Sequence, residues 1–201
     1  TCGTGGDGMS LFNVSTAAAF IAAAAGCRVA KHGNRSVSSS TGSADVLEAA
    51  GLNLALNAEQ VADCIDQFNI GFLFAPAHHG ATKYAVGPRK ELAVRTMFNL
   101  LGPLTNPANT PYQVMGIFDK RWVRTAAEVL KELGAKHVMI VHSADGMDEI
   151  SLNAETFVAE LKNGKITEYS ITPEQFGVQR HDMNDLIVKD ANESLELIQA
   201  A

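Results

Sequence analysis

The chain has 201 residues, 46% of them hydrophobic and 19% charged, with a formal net charge of −6. That length suits one sizeable core, and the acidic balance argues against non-specific nucleic-acid binding, which needs a basic face. Cys2, Cys27 and Cys64 are an odd set with no Cys-x-x-Cys pair, which argues against a disulfide framework or a thiolate metal site and fits a reducing compartment, the cytoplasm.

The chain opens on a glycine-rich loop, with Gly3, Gly5, Gly6, Gly8 and Asp7 inside it. Backbone N–H groups in such a loop are bare enough to face phosphate oxygens. Asn13, Ser15 and Thr16 then open a predicted helix over Thr16–Ala25, whose start supplies hydroxyls, free amides and a positive dipole end. The run Ala17–Gly26 is too short to span a membrane, no signal peptide is visible, and as a helix the run is apolar on all sides, hence buried. Only Thr1 and Cys2 precede the loop, whereas a phosphate loop hangs from a strand; the expectation is a fragment cut at its N-terminal side.

Arg28–Lys31 is expected as a short strand ending in the loop His32–Ser40. Helices follow over Ala44–Ala50, with Ser43 as N-cap, and over Ala58–Phe68, with Val61, Ile65 and Phe68 on one face. Ile70–Ala75 is a continuous apolar strand, as in a sheet covered on both faces, and a His- and Gly-rich loop runs from Pro76 to Gly87. Arg89–Leu101 is a helix ended by Gly102-Pro103, Gln113–Phe118 a strand, Arg121–Leu133 a helix and His137–His142 a buried strand. Phe157–Leu161 and Ile166–Ile171 flank Lys162-Asn163-Gly164-Lys165, a hairpin. The fold class is therefore α/β: a mostly parallel sheet flanked by helices, with an antiparallel hairpin near one end and functional loops at the strands' C-terminal ends.

The loop formally matches G-x-G-x-x-G, but the next strand ends in Lys31-His32 where a dinucleotide site wants a carboxylate, and no Walker G-K-[ST] occurs. Lys31-His32-Gly33-Asn34-Arg35 with Ser36, Ser38, Ser39, Ser40, Thr41 and Ser43 adds cations and hydroxyls, a second phosphate-binding surface or else a solvated serine-rich loop. Asp148-Glu149, on a loop after a buried strand, suits Mg²⁺ better than a bare acidic turn if a phosphate lies nearby. His78-His79 has no zinc-site spacing and reads as pocket wall. Arg89 is either a surface charge or a carboxylate clamp. Trp122 and the phenylalanines read as packing.

Gly-Thr-Gly-Gly-Asp-Gly, Asn-Val-Ser-Thr, Lys-His-Gly-Asn-Arg, Phe-Asn-Leu-Leu-Gly-Pro-Leu-Thr-Asn-Pro and Gly-Met-Asp-Glu occur in this order. Together they resemble the anthranilate phosphoribosyltransferase family, from Gly3 past Ser151. The resemblance implies a catalytic α/β domain spanning 1–201, of the nucleoside-phosphorylase and phosphoribosyltransferase type. It also implies transfer of phosphoribose from phosphoribosyl pyrophosphate (PRPP) to the amine of anthranilate, with Mg²⁺, in tryptophan biosynthesis. It sets Gly3, Gly6 and Asp7 against PRPP and Asn13, Val14, Ser15 and Thr16 on its phosphates. Lys31, His32, Gly33, Asn34, Arg35, Ser36, Val37, Ser38, Ser39 and Ser43 complete that pocket. Asp148 and Glu149, with Ser15, bind the metal. Gly3, Asn34 and Arg89 contact anthranilate, with His32 and His79 lining its channel, and Lys31, Asp7 and Arg89 are the catalytic residues. The family also has an N-terminal helical domain and further C-terminal helices that are not in this sequence, and its full-length members pair as homodimers. Leu11 stands where the family commonly has Ser or Thr. The competing readings are a pyrimidine nucleoside phosphorylase, which shares the general fold, and a non-catalytic relative that binds nucleic acid; Asp148-Glu149 and the charge of −6 speak against them.

Overall fold

A computed structural model describes residues 1–36, 41–80, 91 and 97–200. In chain order the elements are β1 (Cys2–Gly3), α1 (Val14–Ala24), β2 (Val29–Gly33), α2 (Ser43–Ala49), α3 (Ala58–Phe68), β3 (Ile70–Phe74), the single turn α4 (Ala75–His78) and α5 (Met97–Leu101). There follow β4 (Tyr112–Gly116), α6 (Val123–Glu132), β5 (His137–Ser143), β6 (Thr156–Lys162), β7 (Lys165–Ile171) and α7 (Ala191–Ala200).

The strands fall into two sheets. Five lie in the order β1-β4-β5-β6-β7, and β2 pairs with β3 in a separate two-stranded sheet. β1/β4, β4/β5 and β2/β3 are parallel, while β5/β6 and β6/β7 are antiparallel. The mixed sheet and its hairpin agree with the sequence; the division into two sheets does not follow from it. β6 turns into β7 through Asn163 and Gly164, both at positive φ (51° and 74°), the left-handed pair that a two-residue hairpin turn demands.

The main core lies between the five-stranded sheet and α6. Met115, Ile117, Val138, Ile140, Ala159 and Leu161 meet Val123, Ala126, Ala127 and Leu130. These α6 positions recur at three- and four-residue spacing, so one stripe of the helix is buried. Around β2/β3, α3 forms because Asn57 and Gln60 satisfy each other's end groups: Asn57 Oδ1 accepts from the Gln60 N–H at 2.9 Å and Gln60 Oε1 from the Asn57 N–H at 3.0 Å. Asn69, at φ 62°, ends it.

Several expectations need correction. The start of α2 is Gly42, not Ser43; Asp45 accepts from the Gly42 N–H at 2.9 Å, which leaves the Ser43 hydroxyl for other work. α1 is buried along Thr16, Ala17, Ala19 and Ala23 only, and Ile21 is 66% exposed. Phe68 points outward at 67% exposure because the α3 stripe turns past it, and Trp122, in a 3₁₀ turn ahead of α6, is also exposed. β3 buries Gly71 and Leu73 alternately, as expected of a strand with one covered face rather than two. Ala75–His78 is helical rather than loop. The helix expected over Arg89–Leu101 is described only at Glu91 and over Met97–Leu101, and it runs on into a 3₁₀ turn at Gly102–Leu104. Among the described residues, no helix is long and apolar enough to cross a membrane.

Candidate active site

The glycine loop leaves β1 at its C-terminal end, where β1 pairs with β4 and the strand ends of the five-stranded sheet gather. Gly5, Gly6 and Gly8 have φ of 63°, 79° and 84°, a succession that bare glycines adopt at little cost. Thr4 anchors the loop from both sides: its N–H donates to Gly116 O at 3.0 Å, and its hydroxyl accepts from the Phe118 N–H at 3.1 Å.

The second wall is the Asp148-Glu149 loop. The Gly5 N–H donates to Asp148 Oδ2 at 2.7 Å. A Cβ on Gly3 would lie 2.3 Å from that same oxygen, and one on Gly116 only 1.4 Å from the Asp148 carbonyl oxygen. Both glycines are therefore places where backbone meets backbone or carboxylate. Burial, then the charge of Asp7, pushes the Asp148 carboxyl up to about 6, and a hydrogen bond with Asp7 acts in the same direction. Burial, then the charge of Asp148, lifts Glu149 to about 8 against the opposing pull of Lys31. Three carboxyl groups thus crowd one pocket that is short of positive charge.

The third wall is α1 and β2. Asn13 caps α1: its Oδ1 accepts from the Thr16 N–H at 3.1 Å, from the Thr16 hydroxyl at 2.5 Å and from the Ser15 hydroxyl at 3.3 Å. Lys31 is only 3% exposed, and its Nζ donates to Ser15 Oγ at 3.0 Å and to Thr1 O at 3.4 Å. Burial pulls this ammonium down to about 8, opposed by Cys2 and Glu149. Asn13→Ala removes the cap and is expected to cost about 1 kcal/mol, or roughly 2–4 °C in Tm for a chain of this size. An unchanged melting curve would contradict that role.

Next along β2, His32 turns the other way. Its Nε2 lies 3.1 Å from Nε2 of His79, with the rings edge to face. Burial, then His79, pushes His32 down to about 4, so it is a neutral imidazole at physiological pH. Gly33 packs on Ser43, where an added Cβ would lie 2.0 Å from Ser43 Oγ. Asn34 O accepts from the Ala44 N–H at 3.2 Å, and the Ser36 N–H donates to Asp45 at 2.9 Å. The Arg35 guanidinium is turned onto α2, on Glu48 at 2.6 Å and Asp45 at 3.2 Å, and over the Phe74 ring.

The structure thus brings together Gly3, Gly5, Asp7, Ser15, Lys31, Asp148 and Glu149, and ties His32 to His79 and Gly33 to Ser43. Val14 is the first residue of α1, and Gly6 lies in the glycine loop between Gly5 and Asp7. Leu11 is pinned by a β-bridge to Ile187. Val37, Ser38, Ser39 and Arg89 lie outside the described residues.

Three supporting residues escaped the sequence reading. Gly116 is the seat of the acidic loop. Asn106, in the Gly-Pro-Leu-Thr-Asn-Pro run, donates through Nδ2 to Ala30 O at 2.8 Å and so holds β2 in place. Gln113 donates to Cys2 Sγ at 3.1 Å and to Pro103 O at 2.9 Å. A glycine at the end of a buried run was the one available signal for Gly116; the two amides gave none.

Crowded hard oxygen donors suit Mg²⁺, which takes one or two carboxylates and keeps its waters. Among the described residues no group of three or more His, Cys, Asp or Glu side chains is arranged to hold a metal by itself. An open groove of about 610 Å³ between α6 and the β6–β7 turn, with mixed charges from Arg124, Glu128, Lys131 and Glu132, is lined by none of these residues.

An anthranilate phosphoribosyltransferase from Marinomonas sp. (strain MWYL1) is 64% identical over 201 residues, covering 100% of this chain and 58% of that protein. One from Alkalilimnicola ehrlichii is 62% identical, covering 100% of this chain and 60% of the relative. Among solved structures, anthranilate phosphoribosyltransferase from Thermus thermophilus superposes with a TM-score of 0.90 at 46% identity, covering 98% of this chain and 58% of that one. The Saccharomyces cerevisiae enzyme in complex with PRPP and Mg gives 0.88 at 27% identity, covering 98% and 55%. The chain thus spans somewhat under two thirds of the length of these relatives. The model of the glycosyl transferase family, a/b domain, matches residues 1–201, and the chain belongs to that family.

Proposed function

We infer that this chain is the catalytic α/β part of an anthranilate phosphoribosyltransferase, acting on PRPP and anthranilate. One observation carries the reading: the glycine loop, buried Lys31 and the Asp148-Glu149 loop converge, linked by Gly5 N–H to Asp148 and Lys31 Nζ to Ser15. The kinship with enzymes of that name supports it.

The difficult step is loss of pyrophosphate from C1 of the ribose. The C1–O bond breaks, positive charge builds on the sugar and negative charge on the leaving group. Loop amides and the α1 start face that negative charge, and Lys31 adds a cation whose burial makes its field strong. Mg²⁺, held by Asp148 and Glu149 with Ser15 beside them, would add charge neutralisation of the pyrophosphate when bound. The amine of anthranilate is neutral near pH 7, so it attacks C1 as it stands and gives up its proton to solvent afterwards. His32 and His79 wall the acceptor side, and His32, being neutral, does not compete as a cation for the pyrophosphate. Asn34 and Arg89 orient the arylamine, Arg89 by gripping its carboxylate.

Calorimetry tests this directly: PRPP with Mg²⁺ is titrated first, then anthranilate. Binding of a pyrimidine nucleoside and inorganic phosphate instead would overturn the reading. Arg89→Ala is expected to weaken anthranilate by about tenfold to a hundredfold with little change for PRPP, as loss of a charge-assisted contact implies. An unchanged KM for anthranilate would count against the role of Arg89.

A further inference from the structure

The loop that carries Asp148 and Glu149 contains no helix or strand between the end of β5 at Ser143 and the start of β6 at Thr156. Such a stretch holds two buried or half-buried carboxylates in place only if something fixes its shape. The Asp145 side chain reaches Ser143, at the start of the stretch, and Ser151, beyond the Asp148-Glu149 pair. Its Oδ1 accepts from the Ser143 hydroxyl, and its Oδ2 accepts from the Ser151 hydroxyl at 2.7 Å.

Both serines are fully buried, and each is itself a junction. Ser143 Oγ accepts from the Met147 N–H at 3.1 Å, and the Ser143 N–H donates to Met147 O at 3.1 Å. Ser151 Oγ accepts from the Asn153 N–H at 2.9 Å and the Ala154 N–H at 3.0 Å, while the Ser151 N–H donates to Thr156 Oγ1 at 3.1 Å. Asp145 therefore closes a ring of bonds around Met147-Asp148-Glu149, with Gly116 as its floor. Its two oxygens are spent on hydroxyls, so it is not itself placed as a metal ligand.

We propose that Asp145 is a positioning residue whose carboxylate clamps Ser143 to Ser151 and so holds Asp148 and Glu149 in the attitude that receives Mg²⁺. The inference rests on the proposed function and adds to it a residue that touches neither substrate nor metal. Removal of Asp145 leaves the buried Ser151 hydroxyl short of an acceptor, leaves the Ser143 hydroxyl with only the Met147 carbonyl at 3.3 Å, and lets the ring open. The loss then falls on the metal-facing carboxylates, as with other residues that orient ligands from behind.

The test titrates Mg²⁺ at fixed PRPP and reads PRPP binding by calorimetry, for the wild-type protein, Asp145→Ala and Asp145→Asn, with melting curves alongside. Asp145→Ala is expected to raise the Mg²⁺ concentration for half-maximal binding by about tenfold or more. PRPP affinity at saturating Mg²⁺ stays near wild type. Asp145→Asn, which keeps one acceptor oxygen, recovers part of the shift. A merely structural role would lower the melting point and leave the Mg²⁺ midpoint where it is; that outcome overturns the proposal. If Asp145→Ala does not fold, a wild-type Mg²⁺ midpoint in Asp145→Asn overturns it equally. Wild-type protein whose PRPP binding ignores Mg²⁺ overturns the proposed function itself, without any variant, and the metal-positioning role falls with it.

Discussion

Gly116→Ala is expected to abolish most ligand binding while leaving the sheet folded. The added methyl would sit 1.4 Å from the Asp148 carbonyl oxygen and 2.4 Å from its carbon. Neither is the yielding end of a side chain, so the backbone of the acidic loop must retreat. Gly116 pairs with Gly3 on one side and Val141 on the other, and β4 cannot move away without breaking both ladders. The loop therefore moves, and Asp148 and Glu149 move with it. Forced overpacking of this kind costs about 3 kcal/mol, and a displacement near 1 Å at a reacting centre costs about a hundredfold in rate. Far-UV circular dichroism should remain near wild type while Mg²⁺-dependent PRPP affinity collapses. Wild-type affinity in this variant would mean that the loop does not need its seat on β4.

Glu149→Gln is expected to stabilise the metal-free protein and to flatten its dependence on pH. The Glu149 carboxyl is lifted from 4.5 to about 8, chiefly by burial and then by Asp148. Below pH 4.5 it is protonated in both the folded and unfolded chains and contributes no difference. As pH rises from there to about 8, the unfolded chain gives up the proton and the folded chain keeps it, so stability falls across that window and levels off above it. Glu149 is partly exposed, so the loss is discounted to roughly 2–4 kcal/mol. Glutamine keeps the shape without the charge, so the fall between pH 5 and pH 8 should shrink by that amount in thermal unfolding. If Glu149 holds Mg²⁺ as proposed, the same substitution removes a cation ligand, so stabilisation by Mg²⁺ with PRPP, largest for wild type near pH 8, should be lost. A wild-type slope in the variant would assign the pH dependence to other groups.

Much of this was legible in the chain because the relevant signals are local. Asn57 and Gln60 announce α3, Asn163-Gly164 the hairpin, and the glycine spacing a turn that only bare backbone makes. What escaped was set by partners distant in sequence. Phe68 and Ile21 look like core residues until one sees that no described element covers them. Nothing in Val29–Gly33 or Ile70–Phe74 tells that these strands pair with each other rather than joining β1 and β4, since register depends on edges the sequence does not display. For the site, the loops and their charges were readable one by one. The contact that joins them, Gly5 N–H to Asp148, spans 143 residues, and the seat on Gly116 is a matter of absent volume.

Lys31 and His32 are neighbours in β2, so their side chains leave opposite faces of the strand: the ammonium toward Ser15 and Thr1, the imidazole toward His79. One strand is thereby a partition between two compartments. In the proposed reaction the departing pyrophosphate would lie on the Lys31 side and the arriving amine on the His32 side, with the sugar across the strand's end. Entry and exit on opposite faces is the arrangement of an in-line displacement, and for the proposed reaction it carries a stereochemical consequence: the configuration at the anomeric carbon would be inverted in the product.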